Sequence, residues 1–242
     1  MVPPIVISAA GRGTRMKELA QSKPKHLIEV AGRPFLTYLL DNLFKAGAEE
    51  VYLVIGHHAP ISYQFVEEYR DHYPVRVVNQ FERLGEERYG TLMPLLAVAP
   101  ELQGRPVVAV NGDNLYSSQD LSALFKLSPG SAVAGVTHDN PERYGVLVEN
   151  KGTLMQIIEK PANPPSRLVN TGLYALSSAV WQLLPRVGVS PRGEYELTDA
   201  VSLLAAQEPV RVFPIADYWL DFGRPEDIPK VEAVVAKAGH DH

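Results

Sequence analysis

Cysteine is missing from all 242 residues, so the chain can form neither a disulfide nor a thiolate metal site. Positive charge is also scarce. Lys and Arg number 23 against 28 Asp and Glu, a net charge of −5, which gives no bulk attraction to nucleic acid or an anionic membrane. No apolar run approaches the roughly 18 residues of a membrane-spanning helix. The opening Met1-Val2-Pro3-Pro4 has no basic stretch ahead of an apolar one, so it does not read as a secretory signal. Internal repeats, low-complexity tracts and obvious linkers are lacking too. These absences favour a cytoplasmic protein with small-molecule partners, without nucleic acid or membrane, and leave a homo-oligomer open.

Against that acidic background, one stretch is strongly cationic. Residues 12–25 hold Arg12, Arg15, Lys17, Lys23 and Lys25 against a single Glu18. They follow the β-branched run Ile5-Val6-Ile7, which reads as a buried strand and breaks at Gly11 and Gly13. Glycines let backbone N–H groups approach phosphate oxygens, and the cations supply the opposite charge. The stretch therefore reads as a polyphosphate cradle. A dinucleotide loop would need a third glycine where Met16 stands and an unbroken helix where Pro24 intervenes. A Walker A loop is excluded because no Gly-Lys-Ser/Thr closes the stretch.

Periodicity supplies a coarse architecture. Strands are expected at Val51–Ile55, Val75–Val78 and Val107–Val110, with helices carrying Phe35, Leu36, Leu39, Leu40 and Leu43, then Phe65, Val66 and Tyr69, then Leu92, Leu95, Leu96 and Val98. Pro34 is expected at the first position of its helix, and residues 80–90 as a polar loop. That alternation implies a doubly wound parallel sheet, in which ligands bind beyond the carboxyl ends of the strands. The later chain reads as strands at Val133–Thr137, Val146–Glu149, Thr153–Ile158, Leu168–Leu176 and Val210–Pro214, with helices near Ala179–Leu184, Leu197–Ala206 and Pro229–Ala238. Glu194 and Thr198 are expected to form a capping box.

The segment Ala9-Ala10-Gly11-Arg12-Gly13-Thr14-Arg15, with Pro24-Lys25 at the required spacing, resembles the opening motif of the sugar-1-phosphate nucleotidyltransferases, the NDP-sugar pyrophosphorylases. Ser8, Glu18 and Ala20 depart from the family pattern of Leu, Pro and Thr at those places. The likeness continues through Ala31-Gly32-Arg33-Pro34, Asn111-Gly112-Asp113, Glu142-Arg143-Tyr144-Gly145-Val146, Glu159-Lys160-Pro161 and Asn170-Thr171-Gly172-Leu173-Tyr174. It ends with Arg192-Gly193-Glu194-Tyr195-Glu196-Leu197-Thr198-Asp199 and Trp219-Leu220-Asp221-Phe222-Gly223. The whole is most like glucose-1-phosphate thymidylyl- and uridylyltransferases without a β-helix extension. The resemblance implies an α/β fold: a Rossmann-like, doubly wound, mixed and mainly parallel sheet of the nucleotidyltransferase type with a sugar-binding lobe. It implies one domain over residues 1–242, with 1–115 mainly nucleotide-binding, 116–228 mainly sugar-phosphate-binding, and 229–242 a terminal helix and tail.

The reaction so implied is attack of a sugar-1-phosphate oxygen on the α-phosphorus of a nucleoside triphosphate, expelling pyrophosphate. The nucleophile is already largely dianionic at neutral pH, since its second pKa is about 6, so the protein must neutralise charge and align groups. The resemblance assigns Arg15 and Lys25 to the triphosphate and leaving group, and Ala10, Gly11, Arg12, Gly13 and Thr14 to the nucleotide. Gln80 and Gly90 would meet the base, although the residues between them look like an insertion. Asp113 and Asp221 would hold Mg²⁺, which favours one or two carboxylates with phosphate oxygens and water. Tyr144, Gly145, Glu159, Lys160, Asn170 and Arg192 would hold the sugar phosphate. Glucose-1-phosphate with dTTP or UTP is the expected pair. Gly90-Thr91-Leu92 also resembles cytidylyltransferases that charge phosphocholine, and a non-catalytic nucleotide-sugar sensor is the third reading.

Overall fold

The computed structural model describes residues 2–11 and 13–237. In chain order the strands are β1 (Ile5–Ala9), β2 (Glu29–Val30), β3 (Arg33–Pro34), β4 (Val51–Ile55), β5 (Val75–Asn79), β6 (Val107–Asn111), β7 (Asn114–Tyr116), β8 (Ser131–Thr137), β9 (Gly145–Asn150), β10 (Thr153–Glu159), β11 (Leu168–Leu176), β12 (Val210–Pro214) and β13 (Trp219–Asp221). The helices are α1 (Phe35–Lys45), α2 (Ala59–Tyr69), α3 (Gln80–Leu84), α4 (Met93–Leu102), α5 (Ser118–Phe125), α6 (Val180–Leu183), α7 (Leu197–Ala205) and α8 (Ile228–Lys237). Among the described residues no helix is long and apolar enough to cross a membrane.

Nine strands form one mixed sheet in the order β5-β4-β1-β6-β11-β8-β12-β10-β9. Parallel pairing runs through β5, β4, β1 and β6 and recurs between β8 and β12, while β11, β10 and β9 pair antiparallel to their neighbours. β1 lies at the centre of the parallel set, and its side chains alternate between two cores. Ile5 and Ile7 pack with Leu36, Leu39 and Leu40 of α1 on one face, while Val6 packs with Leu95 and Val98 of α4 on the other. A strand covered on both faces must be apolar at every position, which is why the run shows no alternation. Each of these fully buried side chains contributes roughly 1.5–3 kcal/mol of burial free energy.

Three local readings are corrected. Pro34 caps α1 from outside rather than occupying its first turn. Residues 80–90 do not form a loop throughout, because Asn79 accepts the backbone N–H groups of Phe81 (3.0 Å) and Glu82 (3.4 Å) and starts α3. That short helix is held to α4 by Arg83, which donates to the carbonyl of Ala97 at 2.7 Å and pairs with Glu101 at 2.6 Å. Glu194 and Thr198 make no capping box. The backbone N–H of Leu197 at the start of α7 is met instead by Oγ1 of Thr91, at 2.9 Å.

Three elements, α5, β7 and β13, were not anticipated from periodicity. Ser117 caps α5 by accepting the N–H of Asp120 at 3.1 Å. The short strands β7 and β13 pair antiparallel, with Asn114 opposite Asp221 and Tyr116 opposite Trp219. Phe222, fully buried, stacks on Phe35 with centroids 4.3 Å apart and anchors the end of this ladder.

Candidate active site

The cleft opens beyond the carboxyl ends of β1 and β6, as a cavity of about 610 Å³. Its floor is the glycine loop. Gly13 has φ +64°, and a Cβ there would stand 3.3 Å from the Cβ atoms of both Ala20 and Lys25, so the chain turns tightly enough to bring Lys25 back under the loop. Ala10 is buried against Gly56, where a Cβ would come within 2.9 Å of the Ala10 methyl. Arg15 is exposed and faces the same cavity, as do Gly11 and Gly13. Arg12 lies outside the described residues, and so does the side chain of Thr14.

The two aspartates meet through the β7–β13 ladder. Asp113 follows β6, Asp221 ends β13, and the N–H of Phe222 donates to the carbonyl of Asp113 at 2.8 Å. Lys25 Nζ donates directly to Oδ2 of Asp113, and both side chains are 16% exposed. Burial would push the Asp113 carboxyl up. The Lys25 ammonium and its hydrogen bond, with Arg15 behind, instead hold it below its ordinary value. Asp221 is pushed up, first by burial and then by the charge of Asp113. Its Oδ2 accepts from the Tyr144 hydroxyl at 3.3 Å, and burial followed by the Asp221 charge raises that phenol to about 12.

The opposite wall gathers the residues expected around a sugar phosphate. Glu159 Oε1 receives Arg192 at 3.1 Å and Lys160 at 3.5 Å. Lys160 carries φ +45°, a left-handed conformation fixed by its N–H donating to the carbonyl of Tyr144 at 3.0 Å. Gly145 lies beneath Glu159, where a Cβ would come within 3.0 Å of Oε2. Asn170 donates to the Tyr174 hydroxyl at 2.5 Å and accepts the N–H of Gly172 at 3.0 Å. Gln80 and Gly90 line the same cleft. Gln80 is 1% exposed, with its Oε1 left without a partner among the described residues.

The structure thus brings Ala10, Gly11, Gly13, Arg15, Lys25, Gln80, Gly90, Asp113, Tyr144, Gly145, Glu159, Lys160, Asn170, Arg192 and Asp221 to one cleft. Chemically, it offers glycine backbone with cations, two carboxylates, one of them paired with Lys25, and a mixed-charge cluster around Glu159. Sequence reasoning missed several cleft residues. Glu196 is 2% exposed and is held by Arg192 at 2.8 Å and Thr91 at 3.3 Å. Burial, then the charge of Glu159, raises its carboxyl. Asn114 and Trp219 stand behind the aspartates, and their adjacency to Asp113 and Asp221 in sequence was the available signal. His26 also lines the cleft, and burial followed by the charge of Lys25 pushes its imidazole down to about 3.

Among the described residues no group of three or more His, Cys, Asp or Glu side chains could hold a metal alone. Two partly buried carboxylates lining one cleft are nevertheless an incomplete site of the kind Mg²⁺ uses, with phosphate oxygens and water supplying the rest. The donor set fits that ion.

A sequence profile of the family described as Nucleotidyl transferase matches residues 4–238. The chain is 34% identical over 237 residues to a UTP–glucose-1-phosphate uridylyltransferase of Haloferax volcanii, with 94% of each chain covered. It is 30% identical over 223 residues to a bifunctional sugar-1-phosphate nucleotidylyltransferase/acetyltransferase of Sulfurisphaera tokodaii. That match takes in 92% of this chain and 53% of the relative, so the chain spans about half the bifunctional protein's length. A crystal structure of a UDP-glucose pyrophosphorylase complexed with UDP-glucose superposes with a TM-score of 0.82 over 98% of this chain and 100% of that one. At 19% identity, that likeness speaks for the fold.

Proposed function

The chain belongs to the nucleotidyl transferase family, and from that premise we propose that it transfers a nucleotidyl group from a nucleoside triphosphate to a sugar-1-phosphate, with Mg²⁺ as its metal. The favoured donors are UTP and dTTP, and the favoured acceptor is glucose-1-phosphate. The observation that carries the reading is the convergence of three groups on one cleft: the glycine loop with Arg15 and Lys25, the paired aspartates, and Glu159 with Lys160 and Arg192. A metal-dependent phosphoryl-type transfer needs these parts and no general base.

In this reading the sugar phosphate oxygen forms a bond to the α-phosphorus, and the bond from that phosphorus to the bridging oxygen of the β-phosphate breaks. The electron pair leaves with pyrophosphate. Arg15 and the glycine loop would hold the triphosphate, and Lys25 would neutralise charge developing on the leaving group. Lys160 and Arg192 would orient the attacking phosphate, and Glu159 and Asn170 would receive sugar hydroxyls. Asp113 and Asp221 would hold Mg²⁺, which when bound neutralises phosphate charge and polarises the α-phosphorus. Gln80 and Gly90, which line the same cleft, would meet the base.

The test is a screen for pyrophosphate release with UTP, dTTP, CTP, ATP and GTP against several sugar-1-phosphates and phosphocholine. Release with a sugar-1-phosphate, abolished by chelation of Mg²⁺, is the expected result. No release from any pair would overturn the reading. Preference for phosphocholine with CTP would transfer it to the cytidylyltransferases. Arg15→Ala separates enzyme from sensor, because an enzyme loses turnover far more than nucleotide affinity.

A further inference from the structure

We propose that Trp219 is a positioning residue for Asp113: acting through Asn114, it sets the affinity of the two-aspartate site for a divalent cation. The proposal deepens the nucleotidyltransfer reading and rests on it for the identity of the ion. The indole N–H of Trp219 donates to Oδ1 of Asn114 at 2.6 Å, and Nδ2 of Asn114 donates to Oδ1 of Asp113 at 3.0 Å. An indole nitrogen is only a donor, so it can satisfy the oxygen of the amide and never its nitrogen. That fixes which way the Asn114 amide faces. The amide is 4% exposed, so water cannot readily take over either bond. With Oδ1 of Asp113 occupied by the amide, Oδ2 is the atom turned to Lys25 and the cleft.

The backbone makes the arrangement rigid. β13 pairs with β7 so that Asp221 stands opposite Asn114, and Trp219, two residues from Asp221, shares its face of the strand. The indole is braced edge-on by the Tyr144 ring at 5.5 Å and the His138 ring at 6.3 Å. One short ladder therefore carries a metal carboxylate and the tryptophan that orients the other. Residues orienting metal ligands in this way typically change metal affinity by about 10–100-fold when removed.

The decisive substitution is Trp219→Phe, which keeps a ring in place and removes the donor. Mn²⁺ binding is followed by electron paramagnetic resonance with UTP or dTTP present and no acceptor, so the readout needs no turnover. Trp219→Phe is expected to weaken Mn²⁺ binding by about 10-fold or more, while the KM for the sugar phosphate changes less than about 2-fold. In an Asn114→Ala background the same substitution should change Mn²⁺ affinity little, because the link is already cut. Asn114→Ser is the second background should the alanine variant not fold. Unchanged Mn²⁺ affinity in Trp219→Phe, or an equal loss in both backgrounds, would overturn the proposal. The two readings fail separately. Pyrophosphate release by a protein whose Trp219→Phe variant binds Mn²⁺ normally removes only this inference, whereas the expected Mn²⁺ pattern without any release removes only the nucleotidyltransfer reading.

Discussion

Lys25 and Asp113, 88 residues apart in sequence, form a direct hydrogen-bonded ion pair at the centre of the cleft. The lysine is placed by the Gly13 turn and the aspartate by the end of β6, so the pair joins the glycine loop to the paired aspartates. Lys25→Met would remove the nearest cation from two partly buried carboxylates. We expect kcat/KM to fall by at least about 10²-fold, the scale for losing one preorganised charge at a reacting phosphoryl group. Lys25→Arg should not restore it, because a planar fork does not fit the place of a point charge. Steady-state kinetics on the three proteins, with folding checked by circular dichroism, tests this.

Asp221 gives a prediction of opposite sign for stability. Its carboxyl is raised by burial and then by Asp113, so the folded state holds this proton more tightly than the unfolded chain does. Stability therefore falls as pH climbs from the ordinary Asp value, about 3.9, through the raised one, and the loss is complete above it. Asp221→Asn removes that penalty. In metal-free buffer the variant should melt above the parent at neutral pH, by roughly 2–4 °C for each kcal/mol recovered in a domain of this size, with the difference vanishing in acid. It should also be inactive. A variant that melts below the parent at neutral pH would contradict the assignment.

Much of this site was legible in the sequence because its parts are local. The glycine loop, Lys25 and the aspartates sit in short motifs at strand ends, where backbone geometry and chemistry are fixed by a few neighbouring residues. The buried runs of β1, β4 and β6 were legible for a related reason, since strands covered on both faces are apolar throughout. Three residues of β7 paired with three of β13 carry too little periodicity to be read as strands, yet they are what brings Asp221 to Asp113. α3 was hidden because its start depends on the side chain of Asn79. The helix at α7 was legible but its cap was not, because its first N–H is met by Thr91, 106 residues away. Glu196 is the plainest case. The motif that contains it gave it no role, and only the fold shows it buried between Arg192 and Thr91.

Glu196 also predicts how Arg192 acts. Burial and the charge of Glu159 push its carboxyl up, and the Arg192 guanidinium opposes them. Arg192→Ala removes that opposition and raises the carboxyl further. The variant should thus lose stability relative to the parent as pH rises above the ordinary Glu value of about 4.3, and the deficit should shrink in acid. Denaturant melts between pH 4 and 8 measure it. A deficit independent of pH would mean that Arg192 acts through packing alone.

Gly90 ties the segment that leads into α4 to the segment that leads into α7. Its φ is +141°, and a Cβ would overlap the carbonyl oxygen of Tyr195 and lie 2.5 Å from its nitrogen. The two segments are joined around it: Tyr195 N–H donates to the carbonyl of Tyr89 at 2.9 Å, and Leu92 N–H donates to the carbonyl of Tyr195 at 3.1 Å. Because the obstacle is backbone, no rotamer change relieves it. Gly90→Ala should lose about 1–3 kcal/mol from overpacking and a similar amount from the φ it cannot easily adopt. It should also raise the KM for the nucleoside triphosphate and for the sugar phosphate together, since the start of α4 and the start of α7 would both shift. Gly188→Ala, where nothing lies within 4 Å of the added carbon, is the control. It should be neutral or more stable by up to about 1 kcal/mol. Equal melting temperatures for the two variants would show that the Gly90–Tyr195 approach does not constrain the cleft.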